Sequence, residues 1–170
     1  NISVVIVGFK RERTFLEDIF NGSNLSSIIR KLNIPVLVIK TEDEPIYKNI
    51  LIPTDLSKAS RNNIKYLISI FPEANFHIEH YYKAFFEDRV KLYGFDDEEA
   101  HDFVDFYAQE AEDELNKFIE KLELNSDIKV FTKAKKYLDI KTMVEESIEY
   151  KTIDLLSLSV GTSLSIFSFD

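Results

Sequence analysis

The sequence predicts an α/β fold, an open parallel sheet of Rossmann-like type with helices on both faces. Three observations predict it. Short β-branched apolar runs alternate with segments of helical periodicity, the order of parallel strands joined by right-handed crossovers. Those runs are continuously apolar, as in strands covered on both faces. The pattern also repeats: one run ends at Gly8, another at Gly161, and Gly22 and Gly161 stand 139 positions apart, about one domain length.

Residues 2–8 read as a buried strand closed by Gly8. Residues 9–21 are mixed, with Lys10, Arg11, Glu12 and Arg13 ahead of Phe15, Leu16, Ile19 and Phe20. Ser23 or Asn24 caps a helix with Leu25, Ile28, Ile29 and Leu32 at helical spacing. A second strand covers 34–40, with Pro35 at its start. Residues 41–48 are a short polar linker around Pro45.

The grammar then restarts. Residues 49–54 are a strand, and Asp55 or Ser57 caps a helix that turns Ala59, Ile64, Leu67, Ile68 and Phe71 inward. Residues 76–82 are the next strand. A long acidic helix runs over about 96–124, where Phe103, Tyr107, Ala111, Leu115, Phe118 and Leu122 follow steps of 4, 4, 4, 3 and 4 along one inward face. Residues 128–131 are a strand, 140–150 a helix and 153–160 a strand.

Composition bounds the function classes. The chain of 170 residues is 45% hydrophobic and 30% charged, an ordinary globular balance. No apolar run approaches the ~18 residues of a membrane span, so no membrane partner is expected. Cysteine is absent, which removes thiol catalysis, disulfides and Cys-based metal sites and fits a cytoplasmic location. The net charge of −9 argues against nucleic-acid binding, which needs a basic face. The only methionine is Met143, so Asn1 is not expected to be a native start. The expected organisation is the back of one domain at 1–44, then most of a second at 45–170 that lacks its closing strand. Strands 2–8 and 34–40 are expected to complete that sheet in a permuted manner or to pair with another chain, because an open edge invites aggregation.

In an open parallel sheet, ligands bind beyond the carboxyl ends of the strands, where strand order reverses. Pro53-Thr54-Asp55 closes one strand and Gly161-Thr162 closes the last. A carboxylate there can accept from ribose hydroxyls or an adenine amino group. A glycine lets phosphate approach the backbone, and a following Ser or Thr adds a hydroxyl. The plainer roles for the same residues are a helix cap at Asp55 and a turn at Gly161.

Tyr47-Lys-Asn-Ile-Leu-Ile-Pro-Thr-Asp-Leu-Ser-Lys-Ala-Ser60 resembles the opening of a universal stress protein domain. Gly22-Ser23 and the strand Ile34-Pro-Val-Leu-Val-Ile-Lys40 resemble that family's closing segment. The resemblance implies an adenine-nucleotide-hydrolase-like sheet of order 3-2-1-4-5, with association as a dimer or an intramolecular pseudo-dimer. It implies ATP as the one cofactor to consider, held by the acidic residue after the first strand and a glycine motif after the fourth. Asp55 matches the first element. Residues matching the cradle are Gly8, Gly22 and Ser23 in the first copy, and Gly161 and Thr162 in the second. Both copies depart from the motif. Its two loop glycines are replaced by Phe9 and Glu12 in the first copy, and the second runs from its strand straight into Gly161-Thr162. Lys135-Lys136 stands after the third strand, where the family often has a small residue or glycine.

Other clusters carry less. His77 and His80 lie three apart on a strand and point to opposite faces, so a shared metal is not expected. His101 sits between Glu98 and Asp105 on a helix face, best read as an exposed histidine. Asp96 to Glu99 place negative charge at a helix start, where the dipole favours it. No Gly-x-Ser-x-Gly elbow, P-loop or zinc signature occurs, and no catalytic residue is assigned. Two readings stay open: a stress-related binding or regulatory module with degenerate nucleotide sites, and an ATP-binding switch with slow hydrolysis.

Overall fold

The computed structural model describes residues 5–8, 36–39, 47–83, 97–136, 146 and 153–157. The chain divides into two compact units, Asn1–Ile46 and Tyr47–Asp170. In the first, β1 (Val5–Gly8) and β2 (Val36–Ile39) pair in parallel, with Val5 opposite Val36 and Gly8 opposite Ile39. The two strands form a sheet of their own. Among the described residues neither strand is hydrogen-bonded into the larger sheet, so the expected permuted completion is not seen there. The expected helix at 23–32 lies outside the described residues.

The second unit holds β3 (Asn49–Thr54), α1 (Lys58–Ile70), β4 (Asn75–Tyr82), α2 (Asp97–Glu120), β5 (Lys129–Lys136) and β6 (Leu155–Leu156). All four strands are parallel, in the order β5-β4-β3-β6. The steps from β3 to β4 and from β4 to β5 go the same way, so right-handed crossovers put α1 and α2 on one face. The core shows this. Ile50, Ile52, Phe76 and Ile78 from the sheet pack with Ile64 and Leu67 of α1 and with Leu115 and Phe118 of α2, followed by Leu122. Each fully buried side chain of this kind contributes about 1.5–3 kcal/mol. The opposite face is covered too, because Leu51 and Glu79, of opposite parity, are fully buried. The expected helix at 140–150 falls outside the described residues apart from Glu146, as do 158–160.

Local chemistry fixes the ends of these elements. Ser57 is the N-cap of α1 and accepts from the Ser60 N–H at 3.1 Å. At the amino edge of the sheet, Asp154 Oδ2 accepts from the Lys48 and Asn49 N–H groups at 3.0 and 2.8 Å. The Asn75 amide donates to Asn49 Oδ1 at 2.9 Å. Three strand starts are thus tied by side chains before the ladder begins.

Two expectations are corrected. Strand β5 runs on to Lys136, with Lys135 opposite Tyr81 and Lys136 opposite Tyr82, so these lysines lie in the strand and not in a loop after it. The reason is a partner: Lys135 Nζ is 3.0 Å from the fully buried Glu79 carboxylate. Phe103 does not continue the inward face of α2 but is 44% exposed. The 24-residue helix is about 36 Å long, against about 26 Å for the 8-residue strands β4 and β5. Glu112 is already level with Ala134, whose N–H it accepts at 3.2 Å, so the turns before it overshoot the carboxyl edge.

Candidate functional site

The strand order reverses between β3 and β6, where a ligand crevice forms in such sheets. Carbonyls of Asn49 and Leu51 accept from Asp154 and Ser157, so by alternation residue 53 also faces β6. Proline occupies it and has no N–H to donate. The described β3–β6 pairing reaches Leu51 opposite Leu156. Pro53 thus leaves the carboxyl side of this strand pair without a ladder donor from β3.

Past Pro53 the chain turns into α1 through a net of side-chain bonds. Thr54 Oγ1 accepts from the Leu56 N–H at 3.0 Å. Asp55 Oδ1 accepts from the Ser57 N–H at 3.0 Å and from the Ser60 hydroxyl at 2.6 Å. Leu56 takes a left-handed conformation with φ 61°, which costs about 1–2 kcal/mol and is held by this net. Burial pushes the Asp55 carboxyl up, but the hydrogen bonds from Ser57 and Ser60 outweigh it, and its pKa lies below the ordinary 3.8. The Asp55 side chain is half-buried, and its second oxygen accepts from no group among the described residues. His80 stands opposite Thr54 in the ladder, and its Nδ1 lies 3.1 Å from the Thr54 carbonyl, so Nδ1 is the protonated nitrogen.

Two residues that the sequence left unmarked belong here. The Asn63 amide, one turn along α1, donates to Ser157 Oγ at 3.0 Å, joining the helix to the end of β6. Ser157 interrupts the apolar run of the last strand, the one signal that could have found it. Nearby, Arg61 Nε is buried with no hydrogen-bond partner among the described residues. Its guanidinium carbon stands 5.7 Å from the Phe118 ring centroid, a cation–π contact that offsets part of that cost.

Of the expected site residues, Pro53, Thr54 and Asp55 come together at this edge. Gly8 ends β1 in the other unit. Gly22, Ser23, Gly161 and Thr162 lie outside the described residues, as do Lys10, Arg11 and Arg13 and the side chain of His101. No described residue of the second unit is a glycine. His77 stacks on Phe131, ring centroids 5.1 Å apart. Among the described residues no group of His, Asp and Glu is placed to hold a metal ion, and no helix is long and apolar enough to cross a membrane.

Comparison with solved structures places this architecture. The chain is similar to the universal stress protein UspA from Lactobacillus plantarum, with 21% identity and a TM-score of 0.52 over 71% of this chain and 82% of that one. It is also similar to a universal stress protein from Archaeoglobus fulgidus DSM 4304, with 16% identity and a TM-score of 0.55. This is the universal stress protein fold. The universal stress protein from Archaeoglobus fulgidus aligns with 97% of this chain over 53% of its own length. No protein-family model and no curated protein sequence matches the chain. The universal stress protein fold agrees with the expected open parallel α/β class, and the described sheet order β5-β4-β3-β6 corresponds to the first four positions of 3-2-1-4-5.

Proposed function

We infer that the chain is a universal-stress-type protein that acts as a stress-related binding or regulatory module with a degenerate nucleotide site. The observation that carries this reading is the use of Asp55. The carboxylate that would hold adenosine is committed through Oδ1 to building the start of α1, by way of Ser57 and Ser60. The second copy's run from its strand straight into Gly161-Thr162, without the motif's loop glycines, supports the same reading, because the backbone amides of that loop are what would cradle a phosphate. A tandem arrangement, in which 1–44 and 45–170 are parts of successive domains that self-associate, belongs to the same proposal. Its support is the alignment of 97% of this chain with about half of a longer universal stress protein.

One observation favours the second reading, an ATP-binding switch: Asp55 Oδ2 accepts from no described group and stands at the reversal of strand order. Thermal shift with ATP and magnesium separates the two. Under the module reading, ATP leaves the melting temperature unchanged. Asp55→Ala then costs about 1 kcal/mol whether ATP is present or absent. Saturable stabilisation that Asp55→Ala removes, about 2.7 kcal/mol at a hundredfold excess over Kd, would replace the module with the switch.

A further inference from the structure

Strand β6 is held to the sheet differently at its two ends. Among the described residues it pairs with β3 only through Ile50 opposite Leu155 and Leu51 opposite Leu156. Its amino end is tied by backbone and side chain together. The Asp154 N–H donates to the Asn49 carbonyl at 2.9 Å, and Asp154 Oδ2 accepts from the Lys48 and Asn49 N–H groups. At the carboxyl end the Ser157 N–H donates to the Leu51 carbonyl at 2.9 Å. The next donor that β3 would turn toward β6 belongs to residue 53, which is proline and has none. Strand β3 therefore has no donor for the Ser157 carbonyl.

The tie that β3 cannot make comes from α1. The Asn63 carboxamide donates to Ser157 Oγ at 3.0 Å, across 94 positions of the chain. Both residues are half-buried. Asn63 stands three residues past Ser60, so the two share a side of the helix. Ser60 is also the residue whose hydroxyl donates to Asp55 Oδ1. One side of the first two turns of α1 thus holds both chain segments at the reversal of strand order, the turn after β3 and the end of β6. Helix propensity alone disfavours asparagine at residue 63, and Ser157 interrupts an apolar run. Each is accounted for by the other. We propose that the Asn63–Ser157 bond is a latch. Closed, it holds the exit of β6 against α1. Open, it frees that strand end while the rest of the sheet stays formed. Segments that open locally in this way have few backbone bonds, and ligand-binding elements are drawn from them. Asn63 is a positioning residue: it acts through Ser157 on the point from which the chain leads on toward Gly161 and Thr162. The latch is a property of the chain without ligand and holds whichever reading of the Asp55 site prevails.

The test is amide hydrogen exchange on the intact chain, read residue by residue by NMR with no ligand added. Asn63→Ala removes the donor and puts a better helix former into α1. The melting temperature is therefore expected to hold or rise. The Ser157 amide is nonetheless expected to exchange roughly fivefold faster, the effect of losing one side-chain hydrogen bond. The Asp154 amide, at the end of β6 that the latch does not hold, and the Ile78 amide in β4 are expected to keep their parent rates. Ser157→Ala removes the acceptor of the same bond. The double variant Asn63→Ala, Ser157→Ala is therefore expected to exchange at residue 157 no faster than either single variant, after correction for the intrinsic rate of each amide. Unchanged exchange at Ser157 in Asn63→Ala would overturn the proposal. Equal acceleration at Asp154 and Ser157 would overturn it as well, because the whole strand would then have loosened. Multiplying effects in the double variant would also overturn it, because the two side chains would then act separately.

Discussion

Asp55 Oδ1 accepts from both the Ser57 N–H and the Ser60 hydroxyl, so its charge and its shape act on stability separately. Because the folded carboxyl titrates below its ordinary 3.8, it contributes stability that is fully present above that value. The contribution is lost as pH falls through the lower, folded value. Asp55→Asn keeps an acceptor oxygen and removes the titration. Urea unfolding between about pH 5 and pH 3 should show the gap between parent and variant narrowing as acid is added. A gap that stays constant would mean that the carboxylate charge contributes nothing. The Asp-Leu-Ser order made a helix start at residues 55–57 legible in the sequence, with both Asp55 and Ser57 able to cap it. The division of labour between them was not legible. It depends on Leu56 taking a left-handed φ of 61°, which brings Asp55 within reach of Ser60 and leaves the cap to Ser57.

At the scale of the elements, β4 and β5 are joined by more than their ladder. Glu79 is fully buried; it accepts from the Tyr81 hydroxyl at 2.5 Å and faces Lys135 Nζ at 3.0 Å. Such a pair breaks asymmetrically. Lys135→Met removes a cation from the buried carboxylate and should cost up to about 3–5 kcal/mol. The double replacement Glu79→Leu, Lys135→Met should recover much of that, as read by chemical denaturation. Additive losses would show that the two side chains do not act as a pair. Strand β5 lies at an edge of the described sheet and carries four lysines, at 129, 133, 135 and 136. Charge of this kind discourages pairing with another chain, and the Glu112 side chain takes the Ala134 N–H. The apolar pattern stops at Phe131, and Lys133, Lys135 and Lys136 follow it. Only the partner strand, where Glu79 stands opposite Lys133 and reaches Lys135 diagonally, explains why the ladder continues to Lys136.

For the whole molecule, the charge distribution matters more than its sum. With the excess of −9 confined to α2, carboxylates one turn apart repel along its outer face. Salt above about 0.1 M shortens the Debye length to about 10 Å and screens that repulsion. The melting temperature should therefore rise with added sodium chloride, and chloride and acetate should act alike if screening is the cause. A fall with either salt would show that attractive pairs dominate instead. The same distribution makes α2 the part of the molecule that a cationic partner reaches first.

The sequence by itself determined the class of fold. Alternating apolar runs and helical periods leave few arrangements other than parallel strands with crossovers. The Pro-Thr-Asp turn at residue 55 and the inward positions from Ala111 to Leu122 were readable from spacing alone. Contacts far apart in the chain were decided by the tertiary structure. Asn63 meets Ser157, Asp154 fastens Lys48 and Asn49, and Glu79 draws Lys135 into the sheet. The exposure of Phe103 was also decided there, since a helical period states which residues share a face but not how far the sheet beneath them extends. Local spacing records what one element demands of its own residues. A site where strand order reverses, or a helix that outruns its sheet, depends on the lengths and ends of its neighbours.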